Sequence, residues 1–424
     1  VLSTLKNAWK IPDLRKRILY TLMMFVIFRL GANIPVPGMD REILKSMFTE
    51  QGGLLSFFNF ISGGAFKKFT IFALSISPYI TSSIIMNLLT IAIPSLEALA
   101  KEGEEGRKKI AQYTRYGTVI LAVIQAIGIS VGLFKRALIS TDFWSVAVVV
   151  ITLTAGTAFL MWLGEQITEK GIGNGISLII FAGIVSRLPV GVYQTFTKLF
   201  KKEASWISFI IFCVVAIIVI AGVIAIQQGT RKIPVQYAKR VVGRKMYGGH
   251  STHIPLKVNQ AGVIPVIFAM SLLQFPLTLT YFFPSGGFSS FVNRFLSPSG
   301  NPGIWIYNVL YALLIIFFTY FYTAVTFNPV EVANNMKQNG GFIPGIRPGR
   351  PTSEYLQKTL TRLTLAGAIF LAGIAVLPTL VLNFTNLQIR FGGTALLIAV
   401  GVALETMKQI EAQMVMRHYQ GFLK

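Results

Sequence analysis

An all-α polytopic membrane protein is the fold class this sequence predicts, and three observations predict it. Of its 424 residues, 53% are hydrophobic and only 13% charged, against about 25% charged residues in an average soluble protein. Apolar runs long enough to cross a bilayer recur along the chain, a spanning helix needing about 20 mostly apolar residues. The surplus positive charge, +23 at pH 7, gathers between those runs and not within them.

Taken in order, residues 1–17 carry Lys6, Lys10, Arg15, Lys16 and Arg17 around Leu2, Leu5, Trp9 and Leu14, the pattern of a short basic helix on a membrane surface. Residues 18–34 read as the first span, with Arg29 near its far end, where a long side chain can snorkel. No small-residue cleavage site follows, so the span is not read as a removable signal.

An apolar run at 54–61, made of Leu54, Leu55, Phe57, Phe58, Phe60 and Ile61 with small and polar residues between, is too short to cross. Gly63, Gly64, Lys67 and Lys68 interrupt it, and a second run at 69–93 is long enough to span. A stub hinged to a full span cannot sit naked in lipid, because unpaired backbone at membrane depth needs protein or water around it. It implies a cavity. The same stub also fits an amphipathic segment lying flat on the membrane, and spacing does not choose between the two.

Further spans fall at 113–134, 143–163, 176–190, 207–227, 261–282, 304–327, 363–382 and 394–410, ten in all. The run 176–190 is short and broken by Arg187 and Pro189, and the last contains Glu405, so both depend on neighbours in a bundle. Gly171, Gly173 and Gly175 read as a turn between two spans, since no strand precedes them and a third-glycine spacing is missing. Lys and Arg are denser on the side that holds both ends of the chain, which places both termini in the cytoplasm. Two sets of five spans, 1–190 and 206–424, separated by an external loop at 191–205, give halves of opposite topology. No internal sequence repeat relates them.

Two cytoplasmic loops stand out. Residues 228–258 hold Arg231, Lys232, Lys239, Arg240, Arg244, Lys245, His250 and His253 without one acid, and interspersed Tyr237, Val241, Val242, Met246 and Tyr247 suggest a projecting hairpin. Residues 328–362 add Lys337, Arg347, Arg350, Lys358 and Arg362 among glycines and prolines that shape a structured loop. Such a platform suits a large negative partner, ribosomal RNA or an acidic protein face. The orientation signal alone is the simpler explanation, yet that signal needs only a few charges.

Several chemistries are missing. No phosphate-binding loop, nucleophile elbow or metalloprotease helix appears. The histidines lack supporting carboxylates, so no metal is expected. The single cysteine, Cys213, excludes an intrachain disulfide. The middles of the spans hold almost no ionisable side chain, which counts against an ion-coupled solute carrier, the main alternative reading.

Longer motifs then narrow the field: FRLGANIPVPG at 28–38, SGGAF at 62–66, SPYITSSII at 77–85, GRKKIAQYTRYGT at 106–118, MWLGEQITEKGIGNGIS at 161–177, STHIPLKVNQAGVIP at 251–265, GFIPGIRPG at 341–349 and FGGTALLI at 391–398. In these the chain resembles the bacterial SecY family of protein-conducting channels, from about residue 15 to 421. The resemblance implies a clamshell of the two halves around a central pore, hinged at 191–205. It implies a plug at 54–66 that swings near Gly63 and Gly64, and a constriction ring of Ile76, Ile80, Ile176, Ile180, Ile267 and Ile398. It implies a lateral gate carrying Ile84, Asn87 and Gln125 on one side and Ile267 and Gln274 on the other. Arg240, Arg244, Lys245, Arg347 and Arg350 correspond to the docking surface for the ribosome and the SecA motor ATPase. The implied partners are SecE and SecG, unfolded precursors with signal sequences and membrane lipids, with no direct DNA binding, no cofactor and no catalysis. The implied location is the bacterial cytoplasmic (inner) membrane.

Overall fold

The computed structural model describes residues 6, 8–40, 42–44, 62–201, 206–237, 240–242, 245–247, 251–280, 286–296, 303–385 and 393–421. Helices stand at each of the ten places where the sequence predicts a span. They are α1 (Pro12–Gly31), α2 (Ser77–Ala92), α4 (Glu104–Ile127), α5 (Phe143–Lys170), α6 (Gly175–Val185), α8 (Trp206–Gln228), α9 (Ile264–Leu279), α11 (Gly303–Thr326), α13 (Arg350–Thr385) and α14 (Gly393–Gly421). Between them lie α3 (Pro94–Lys101), α7 (Leu188–Phe200), α10 (Gly287–Phe295) and α12 (Pro329–Gln338). Among the described residues six helical stretches are long and apolar enough to cross a membrane, or seven if α2 and α3 count as one broken span. Large apolar side chains face outward, Val26 on α1, Ile120 on α4 and Ile217 on α8 among them, as lipid-facing helices require.

The chain divides into two compact units. The first comprises Val1–Ala204, Met270–Val309 and Val402–Lys424. Its core joins Phe66, Phe69, Leu74, Ala126, Ile129, Phe134 and Leu153, with the ring of Phe134 5.6 Å from Phe66 and 5.2 Å from Phe69. Phe72 stacks between Phe28 and Phe159 at 6.0 and 6.1 Å. Where α2 meets α4, Ser82 Oγ donates to the Thr114 carbonyl at 2.8 Å, and Gly117 leaves the room for it.

The run at 69–93 is not one helical span. Residues 62–76 form successive turns, and the helix starts only at Ser77, where Pro78 suits a first turn because its missing N–H would have had no partner. Phe69 and Ser75 adopt φ of 43° and 55°, backbone that a right-handed helix excludes. The turns replace helical bonds with pairings to the chain after α1: Val36 N–H donates to Phe69 O at 3.0 Å and Ile71 N–H to Ile34 O at 3.0 Å. At its other end α2 stops before Pro94, which disfavours helical backbone at Ile93, and the chain bends by 100° into α3.

Two other expectations change. The short span is interrupted at Ser186 and Arg187, as expected, but Pro189 sits in the first turn of α7, and the two helices together extend the apolar run over Gly175–Thr197. The segment 191–205, expected as a connecting loop, is helical as far as Phe200. The glycine-rich stretch 171–175 is the expected turn: Asn174 Oδ1 accepts from Ser177 N–H at 3.1 Å to cap α6, and Thr21 Oγ1 accepts from Ile172 N–H at 3.1 Å.

The second unit comprises Ser205–Ala269 and Leu310–Gly401. It adds a small sheet to the helices. β1 (Thr230–Tyr237) pairs antiparallel with β4 (Ser251–Lys257), from Thr230 opposite Lys257 to Gln236 opposite Ser251. On its other edge β1 pairs with β5 (Gly341–Phe342), Gln236 opposite Phe342. A two-stranded tip, β2 (Arg240–Val242) with β3 (Lys245–Tyr247), continues the hairpin. Ile233, Val235, Leu256, Met336, Ile343 and Leu356 bury the inner face of the sheet against α12 and α13.

Gly156 on α5 tests how tightly the turns are held, because a β-carbon there would collide with the Ile71 carbonyl. Backbone cannot swing aside as a side chain can, so Gly156→Val should destabilise the protein by about 1–3 kcal/mol, read as a lower thermal midpoint in detergent. Gly373→Ala on α13, where a β-carbon meets nothing within 4 Å, should not lower the midpoint, alanine being the better helix former by about 0.5–1 kcal/mol.

Candidate functional site

In the first unit α2 and α6 supply the candidate collar. Ile76 precedes α2 and Ile80 lies one turn in, and both are buried. On α6, Ile180 is buried. Ile176 lies on the same face, but a β-carbon at Gly164 of α5 would come within 2.5 Å of its Cδ1. The half-buried Ile176 side chain thus packs against α5 at Gly164. Ile184, one turn beyond Ile180 and buried to 4% exposure, continues the same face. In the second unit, Ile267 on α9 and Ile398 on α14 are buried.

Of the expected plug, Leu54, Leu55, Phe57, Phe58, Phe60 and Ile61 lie outside the described residues. Its hinge is described. Gly63 and Gly64 take φ of 61° and 96°, a region glycine enters at little cost. Gly63 packs on α6 so closely that a β-carbon would lie 2.8 Å from Gly183 Cα. Two cations close on this dipeptide: Arg29 Nη1 donates to Gly63 O at 3.4 Å, and Arg187 Nη2 lies 2.8 Å from where a Gly64 β-carbon would stand. Neither guanidinium has a carboxylate partner among the described residues. Lys68 Nζ donates to Asn33 Oδ1 at 2.7 Å, a second tie between the end of α1 and the segment after the hinge.

The residues named for a gate are Ile84, buried, and Asn87, exposed, on α2; Gln125, half-buried, on α4; and Gln274 on α9. Gln274 is buried, and its Nε2 has no hydrogen-bond partner among the described residues. Glu165 pairs with Arg115 at 2.7 Å, so this carboxylate is committed to a bond between α4 and α5. No group of three or more His, Cys, Asp or Glu side chains is placed to hold a metal among the described residues.

The sheet brings the two basic loops together, since β1 belongs to one and β5 to the other. Arg231 and Lys232 are exposed on β1. Arg240 and Lys245 lie on the tip strands, and Arg244 lies outside the described residues. Arg347 is exposed in a turn shaped by Gly345 and Gly349 at φ of 80° and 100°, its carbonyl accepting from Thr352 Oγ1 at 2.9 Å. Arg350 differs from it, because its Nε pairs with Glu354 at 2.9 Å on the exposed first turn of α13.

Known proteins align with this chain over nearly its whole length. The SecY family profile matches residues 70–407. A protein translocase subunit SecY from Halalkalibacterium halodurans is 50% identical, with 99% of each chain covered. Among solved structures, one described as a protein-conducting channel superposes with a TM-score of 0.69 at 21% identity, covering 95% of this chain and 93% of its own. Sec61 in a canine ribosome-channel complex from the endoplasmic reticulum superposes with a TM-score of 0.64 at 20% identity, covering 95% and 93%. With the helices of a channel fold in their expected places and half of all residues shared with a bacterial relative, the chain belongs to the SecY family.

Proposed function

We infer that the chain is the pore-forming subunit of a protein translocase, passing unfolded polypeptides through the membrane and releasing apolar segments sideways into the bilayer. The observation that carries this reading is the 50% identity, over 99% of both chains, to a translocase subunit. As a SecY-family member it is a multi-pass membrane transport protein, and the driving energy comes from its partners.

The proposed collar comprises Ile76, Ile80, Ile176, Ile180, Ile267 and Ile398. A narrow apolar collar sheds water and so blocks ions, yet offers a passing chain no polar contact to grip. Segment 54–66 is the plug, held at Gly63 and Gly64 by Arg29 and Arg187. The halves 1–190 and 206–424 open about the 191–205 connection, and the gate runs between the spans with Ile84, Asn87 and Gln125 and those with Ile267 and Gln274. There an apolar residue at a helix centre gains roughly 0.3–0.6 kcal/mol by moving into lipid.

The basic loops dock the partners. The superposition on a channel solved with a ribosome supports a ribosome site, with Arg240, Arg244 and Lys245 at its tip. Arg347, exposed and without an acidic partner among the described residues, suits the SecA motor better than Arg350, which is already paired. SecE and SecG complete the complex in the cytoplasmic membrane, both termini of this chain on the cytoplasmic side.

Reconstituted with those subunits and the motor, the chain should export an unfolded precursor in an ATP-dependent way. Arg347→Glu should cut that export at least about tenfold, equivalent to about 1.4 kcal/mol, with the thermal midpoint retained; undiminished export removes the motor assignment. Deleting residues 54–66 should raise the resting ion conductance of the reconstituted channel, and an unchanged leak would mean that the segment seals nothing. Glu at 240, 244 and 245 together should weaken ribosome binding and flatten its salt dependence, by about 0.7–0.9 in logarithmic slope for each phosphate no longer neutralised.

A further inference from the structure

Helix α10 joins the neighbouring ends of α9 and α11 and contributes nothing to collar, hinge or docking loops. A helix turns about 100° per residue, which gathers Phe288, Phe291 and Phe295 into an arc of roughly 60° and sets Ser290 and Asn293 on the far side. The structure buries Ser289 and Val292 to 5% and 1% exposure while leaving Phe288 and Phe291 at 46% and 56%. The rings of Phe291 and Phe295 are 5.1 Å apart, and the Arg294 guanidinium lies 5.6 Å from the centre of the Phe295 ring. One strip of the helix therefore grips the protein, and an adjacent aromatic strip faces out.

Two observations identify what covers that strip. The first turns of α11, a few residues on, expose Trp305, Ile306 and Val309 on a helix apolar enough to span. The lipid-facing surface thus continues to the neighbourhood of α10, and an exposed Trp at a span end marks the boundary of the acyl region. Arg294, on the rim of the aromatic strip, supplies the cation that a lipid phosphate would meet, and an amphipathic helix with aromatics on one face and a cation at the margin is suited to lie in that plane.

We propose that α10 is an interfacial anchor, its Phe288, Phe291 and Phe295 strip seated in the outer leaflet and Arg294 at the phosphates. It tethers the outer end of α9, the helix that carries Gln274 of the gate, to the membrane surface. The choice of leaflet rests on the orientation given under the proposed function.

The test uses the complete translocase complex in vesicles, with Cys213→Ser to remove the native thiol. An environment-sensitive fluorophore is attached at Phe291→Cys, at Phe288→Cys as a second site in case the first disturbs folding, and at Ser290→Cys as the polar-face control. Labels at 291 and 288 should be quenched by shallow brominated lipids at least about twofold more than the label at 290. An impermeant aqueous quencher should reach 290 from the outer side only. Aqueous quenching at 291 and 288 overturns the anchor, and shielding from both lipid and water there overturns it in favour of a protein partner. Access to 290 from the cytoplasmic side instead overturns the orientation, and the outer-leaflet assignment with it, while leaving the export assay to judge the pore.

Discussion

Backbone that leaves the helix at membrane depth must find its hydrogen bonds inside the protein, and the first unit is arranged to supply them to residues 62–76. The chain after α1 provides two ladder-like bonds, through Val36 and Ile34. Gly31 and Gly156 let Phe72 and the Ile71 carbonyl approach where a side chain would block them. Phe66 and Phe69 close over Phe134. With these bonds met internally, the segment before α2 keeps a shape other than helix, and Gly63 and Gly64 sit on a packed base.

Charge is handled differently in different parts of the chain. Arg115 and Glu165 neutralise each other between α4 and α5, and Arg350 and Glu354 do so on α13. At the hinge, by contrast, Arg29 and Arg187 converge on one dipeptide without a described counter-ion. Their like charges repel each other at that point. On the basic loops most of the charge stays open to water, where its reach falls off over about 10 Å at 0.1 M salt.

Much of this was legible in the sequence. Runs of apolar residues located every spanning helix, because hydropathy over about 20 residues reports directly on burial in lipid. The start of α2 was not legible: Phe69, Phe72 and Leu74 are as apolar as a span, and only the left-handed backbone at Phe69 and Ser75 reveals that they belong to a protein core. Arg187 and Pro189 marked the end of α6 but not the restart of helix at Leu188, since a proline after one helix and a proline in the first turn of the next are the same letter. The face shared by Ile176 and Ile180 was readable from spacing, but its close packing on α5 depends on Gly164, where two helices meet. The alternating pattern of 230–257 signalled extended strands, whereas nothing in it named Gly341 and Phe342 as their third partner.

That third strand ties mechanics together. β1 is sewn on one edge to the rest of its hairpin and on the other to the short strand leading into the turn of Arg347 and the base of α13, a helix of 36 residues. Force applied at the hairpin is thereby conveyed into the root of a membrane-crossing rod instead of being dissipated in a slack tether. The two basic loops are thus parts of one handle.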